Sequence, residues 1–177
     1  MVTILYELKL IHKMNTFIVF NKKKLRPIPE KFQKDDNRTD EGVIEYFLEK
    51  YTKKGDTILD CFAGLGTTLL VAEEMGRIPY GIELNEERCL YVKECLHHKE
   101  NLFLGNSLYM SDFDIPKCDF SFSSPIFMTK TETINPLDGF VSSGSYEQYL
   151  QDIGRIYSNV KDKMKPDAFV VIEVSNF

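Results

Sequence analysis

The 177 residues suffice for one domain with a core of its own, without disulfide or metal staples. A formal net charge of -5 excludes a broad basic face of the kind that grips a nucleic-acid backbone, so any such contact must be local or supplied from outside this chain. Cys61, Cys89, Cys95 and Cys118 form no C-x-x-C pair and stand at no zinc spacing from the histidines, which predicts reduced thiols, a cytoplasmic protein and no metal.

In chain order, the apolar opening run is broken by Glu7, Lys9, His12 and Lys13. It predicts one or two short strands, Thr16 to Phe20 the clearer, and neither a membrane span nor a cleaved leader. Asn21-Lys-Lys-Lys-Leu-Arg26 with Pro27 and Pro29 reads as an exposed connector, either a solvated basic face or a local phosphate contact. Residues 1–37 are thus expected to hold strands and connector, and residues 38–177 the main domain. A helix begins near Thr39 or Asp40, buries Val43, Ile44, Phe47, Leu48 and Tyr51, and stops at Lys53-Lys54-Gly55.

Strands and helices then alternate. The pattern predicts strands at Thr57–Asp60, Tyr80–Glu83, Asn101–Leu104, Asp119–Phe122 and Ala168–Val174. Helices are expected at Gly66–Met75, closed by Gly76, at Glu86–His97 and at Ser145–Met164. The last of these should turn Tyr149, Leu150, Ile153, Tyr157, Val160 and Met164 inward. Such alternation makes a mostly parallel sheet with helices on both faces, a Rossmann-like α/β fold that binds ligands at the carboxyl ends of its strands. Met128 to Gly144 is a long polar stretch expected to form a mobile substrate loop or lid.

The first strand runs into Asp60-Cys-Phe-Ala-Gly-Leu-Gly-Thr-Thr68 and then a helix. Gly64 and Gly66 permit a tight turn and close approach of a ligand. Glu83 follows nineteen residues after Gly64, at the end of the second strand, where a carboxylate accepts both hydroxyls of a ribose. Leu69 occupies the place of the third glycine of a dinucleotide fingerprint, and no Walker Gly-Lys-Ser/Thr is present. Asp60 would repel a pyrophosphate but suits a cationic ammonium. Together these features favour S-adenosylmethionine over NAD.

The run Ile58 to Arg77, followed by Tyr80-Gly-Ile-Glu-Leu-Asn85, resembles the amino-methylating DNA methyltransferases, which modify the exocyclic amine of cytosine or adenine. The resemblance extends from about Pro27 to the C-terminus and is most specific in the first glycine motif. It implies a methyltransferase fold lacking its last two strands, with an open sheet edge that invites a homodimer. It implies a cofactor site of Thr39, Asp60, Phe62, Ala63, Gly64, Gly66, Thr67, Thr68, Glu83, Leu84 and Asn106, the last near the adenine. DNA is the implied substrate, with RNA as an alternative, and no membrane is involved.

In that family the fourth strand ends in D-P-P-Y or S-P-P-Y. The first side chain and the first proline carbonyl accept the amine hydrogens, and the aromatic ring stacks on a flipped base. Here Ser124, Pro125 and Phe127 match, and Ile126 replaces the second proline, restoring an N–H and loosening the turn. Two outcomes stay open: a competent site, with the serine favouring cytosine over adenine, or a module that binds cofactor and turns over weakly or not at all.

Overall fold

The computed structural model describes Phe20 and residues 25–34 and 36–174. The strand expected at 16–20 lies outside these residues apart from Phe20, which meets Tyr46 edge-on at 5.4 Å. The elements are α1 (Glu30–Gln33), α2 (Glu41–Tyr51), β1 (Thr57–Asp60), α3 (Thr67–Glu74), β2 (Ile78–Glu83), α4 (Glu86–Cys95), β3 (Leu102–Leu104), β4 (Cys118–Ser123), α5 (Tyr146–Lys163) and β5 (Met164–Ile172). Short 3-10 turns lie at Ser107–Asp112 and Pro136–Asp138.

The five strands pair in the order β3-β2-β1-β4-β5, and every pairing is parallel. From β1 the sheet grows through β2 and β3 in one direction, then through β4 and β5 in the other. The reversal opens a crevice at the carboxyl ends of β1 and β4. One face is sealed by α2 and α3, whose Val43, Ile44, Phe47, Leu48 and Val71 pack on Ile58, Phe120, Phe122 and Val171. The other face is sealed by α5, whose Tyr149, Ile156 and Val160 pack on Leu59, Cys61 and Ile82. The fold is therefore Rossmann-like α/β, as the alternating pattern requires.

Element ends differ from the sequence pattern for physical reasons. Pro79 lies inside β2, where its missing N–H does no harm, because β3 pairs only from Gly81 onward. The strand expected from Ala168 starts earlier: β5 begins at Met164 and absorbs Pro166 and Asp167 in a register shift, with Asp167 at φ 61°. α5 turns Tyr149, Ile153, Tyr157, Val160 and Met164 to the core as expected, but Leu150 is 49% exposed, while Ile156 and Asp152 are buried in its stead. The buried row 149, 152, 156, 160 follows the helical repeat, and Leu150 stands one step of about 100° from Tyr149.

α3 ends as the sequence indicates. Gly76, at φ 77°, donates to Glu73 O, and Arg77 N–H donates to Ala72 O, a left-handed cap that satisfies the last carbonyls. The buried Arg77 guanidinium then donates to Leu48 O, Thr52 O and Thr52 Oγ1, closing the end of α2. The connector's Arg26 is engaged within the fold rather than left for phosphate. Its guanidinium bonds Glu41 on α2 and Glu74 on α3; Asn21 to Lys24 lie outside the described residues. Among the described residues no helix is long and apolar enough to cross a membrane.

Candidate active site

The turn after β1 is shaped by its own residues. Asp60 is buried, and its Oδ1 accepts the Phe62 N–H at 2.9 Å. Ala63 N–H donates to Ile82 O on β2, and Gly66 N–H donates back to Ala63 O, starting α3. The two glycines serve different ends. A Cβ on Gly66 would stand 2.5 Å from Val92 Cγ1, so this glycine admits α4. Gly64, at φ 55°, is uncrowded: a Cβ there would meet nothing closer than Phe62 O at 3.9 Å, which leaves room for a ligand to approach. Leu69, in place of a third glycine, still fits because the strand yields instead: a Cβ on Gly81 would lie 2.7 Å from Leu69 Cδ1.

Glu83 ends β2 facing this turn. Its Oε2 accepts Gly64 N–H at 2.6 Å and its Oε1 accepts Asn85 N–H at 2.8 Å. Each oxygen keeps a second lone pair for a hydroxyl. Burial raises the Glu83 carboxyl above its ordinary range, against the two backbone N–H bonds. Burial also pushes the Asp60 carboxyl up to about 7, opposed by Phe62 N–H and the Thr68 hydroxyl and reinforced by the nearby Glu83 charge. A cation arriving at Asp60 would reverse that shift. Thr67 and Thr68 are buried at the start of α3, and Leu84 is partly exposed at the rim.

Asn106 lies past β3. Its Oδ1 caps the 3-10 turn through Leu108 N–H, and its Nδ2 donates to Leu137 O at 2.8 Å. That second bond ties the 128–144 stretch to the crevice. The stretch is organised: Ile134 and Ser143 form an antiparallel bridge, Leu137 is buried in the main core, and Asp138 accepts from Val141 N–H and Ser142 N–H.

β4 delivers Ser124, Pro125, Ile126 and Phe127 to the other side of the crevice. Ser124 and Pro125 are half-buried, while Ile126 is 37% and Phe127 51% exposed. Tyr149 of α5 donates its hydroxyl to Ile126 O at 2.9 Å, pinning the loop at the residue that lacks the family proline. Thr39, just before α2, is buried and donates to the carboxylate of Glu173 beyond β5, while Asp40 caps α2 through Gly42 N–H. The sequence pattern did not single out Glu173 or the Tyr149 hydroxyl. The signal for Glu173 was present: one charge in the otherwise apolar run Phe169 to Val174.

Comparison with known proteins bears on this geometry. Residues 21–94 match the family model described as DNA methylase. The chain is 44% identical over 48 residues to the Type II methyltransferase M.MjaII of Methanocaldococcus jannaschii, covering 27% of this chain and 9% of that protein. It is 28% identical over 119 residues to the Type II methyltransferase M.HpaI of Haemophilus parainfluenzae, covering 66% and 36%. The chain thus spans well under half the length of either relative. Among solved structures, TrmN from Thermus thermophilus aligns with a TM-score of 0.60 at 18% identity, covering 84% of this chain and 43% of that one. A SAM-dependent methyltransferase from Archaeoglobus fulgidus aligns at 0.53 and 19% identity, covering 81% and 57%. These structures agree with the fold.

Proposed function

From the match of residues 21–94 to the DNA methylase family model, we propose that the chain binds S-adenosylmethionine and transfers its methyl group to the exocyclic amine of a DNA base, cytosine ahead of adenine. The observation that carries this reading is the open turn at Gly64 held against the buried Glu83 carboxylate. The residues fit the cofactor. Glu83 has lone pairs left for the ribose, Asp60 is poised to ionise against the methionine ammonium, and the partly exposed Leu84 offers an apolar surface for the adenine. Bound there, the cofactor supplies an electrophilic methyl sulfonium. The protein's part is orientation: Ser124 and the Pro125 carbonyl accept the amine hydrogens and direct the lone pair, and Phe127 stacks on the base.

Calorimetry and labelled-methyl transfer test this together. The wild type should bind S-adenosylmethionine, and Glu83→Ala should lower affinity by about 10- to 100-fold, the equivalent of about 1.5–3 kcal/mol for bonds to a charged group. Unchanged affinity would remove Glu83 from the site. Transfer to tRNA in preference to DNA would move the substrate to RNA, and binding without transfer would mark a cofactor-binding module stalled at Ile126.

A further inference from the structure

Glu173 carries a feature that the fold does not use. Its side chain is 5% exposed; Oε2 accepts the Thr39 hydroxyl, and Oε1 has no hydrogen-bond partner among the described residues. A buried carboxylate oxygen without a donor is unfavourable and rare enough to need a reason.

The backbone places that oxygen beside the β4 loop. Glu173 N–H donates to Ser123 O at 2.9 Å, continuing the pairing of Phe122 with Val171 and Ser123 with Ile172. Ser124 therefore lies in register with Glu173. Phe122 and Val171 both face the α2 side of the sheet, and the two-residue repeat of a strand returns Ser124 and Glu173 to that side, from which Thr39 reaches in. Asp60 ends β1, the next strand over. The crevice thus carries a carboxylate toward the cofactor and a second one alongside the serine.

Methyl transfer leaves a proton to remove. As the amine nitrogen forms its bond to the methyl carbon, the carbon–sulfur bond breaks, its electron pair stays on sulfur, and the nitrogen becomes cationic. A neutral serine hydroxyl is too weak a base to hold the proton then released. Resting on the methyltransferase reading above, we propose that Glu173 is the proton acceptor of this site, acting through the Ser124 hydroxyl. The amine proton passes to Ser124 Oγ as the hydroxyl proton passes to Glu173 Oε1. Ser124 ends neutral, and the protonated carboxyl returns its proton to solvent after product leaves. The strand register places the Ser124 side chain on the same side of the sheet as the vacant oxygen, and the Thr39 bond holds the other oxygen fixed.

Glu173→Gln tests this, because glutamine still accepts from Thr39 but takes up no proton. The single-turnover rate with S-adenosylmethionine and cytosine-rich single-stranded DNA should fall about 100-fold, within the usual range for a general base, with cofactor affinity unchanged. Ser124→Ala should fall comparably, and the double variant no further. Formate should restore part of the rate to Glu173→Ala and none to Ser124→Ala, a rescue that a structural role would not show. A binding readout stands apart from turnover. Wild type should hold a cytosine oligonucleotide more tightly than one carrying 2-pyrimidinone, which lacks the amine, and Glu173→Gln should narrow that ratio. A full rate in Glu173→Gln, or loss without formate rescue and with an unchanged binding ratio, overturns the inference alone. Absence of transfer by the wild type overturns the methyltransferase reading and the inference with it.

Discussion

Between Thr57 and Asn85 the crevice is shaped by bonds that join near neighbours or adjacent strands: Asp60 to Phe62, Glu83 to Asn85, and Glu83 to Gly64 nineteen residues away. Around Ser124 the shaping bonds come from afar. Thr39 reaches Glu173 across 134 residues, and Tyr149 reaches Ile126 across 23. One wall is a local motif fixed by glycines and a helix start. The other is assembled from α2, α5 and β5 and holds its shape only when all three are docked. Damage to the first wall should therefore register mainly in folding or cofactor binding, and damage to the second mainly in transfer.

The sharpest break is Gly66→Ala. The new Cβ would meet Val92 at 2.5 Å in a left-handed backbone, so stability should fall by about 2–4 kcal/mol. The chain has no tryptophan, so urea unfolding is best followed by far-ultraviolet dichroism. A loss below about 1 kcal/mol would show that α4 shifts freely, and that the first wall is less rigid than drawn.

Asp60 separates local fold from cofactor binding through pH. Its folded-state value is raised to about 7 from an ordinary 3.8, so the folded chain holds a proton that the unfolded chain gives up. Its contribution therefore makes the ligand-free fold less stable as pH rises from about 4 to about 7, and levels off above. A cation bound at Asp60 ionises it, so binding S-adenosylmethionine at pH 6 should release close to one proton. Calorimetry in buffers of different ionisation enthalpy measures that release. Asp60→Asn should abolish it, weaken binding and flatten the stability profile; undiminished proton release in Asp60→Asn would take Asp60 out of the cofactor contact.

Tyr149→Phe addresses the second wall. It removes the hydroxyl on Ile126 O and should lower stability by about 1 kcal/mol, with transfer falling more than cofactor affinity. Equal losses in both would mean that the two walls are not separable. Ile126→Pro should have the smallest effect, because Tyr149 already restrains this residue. A proline keeps the carbonyl and fixes φ, so the transfer rate should rise only modestly while cofactor affinity holds. A slower rate would show that the isoleucine N–H serves the loop.

The same division decided what was legible beforehand. The fold class, the order of strands and helices, the cap at Gly76 and the glycine turn facing Glu83 all follow from patterns a few residues long, so the sequence by itself determined them. Hydrophobic alternation and backbone restriction act locally, and each can be counted along the chain. Only the tertiary structure decided that Arg26 clamps α2 to α3 rather than meeting phosphate, that α5 turns Leu150 out and Ile156 in, and that β5 absorbs Pro166. The same holds for Glu173. Its single charge in an apolar strand was visible, but its neighbours Thr39 and Ser123 lie 134 and 50 positions away in the chain, and the strand pairing alone brings them together.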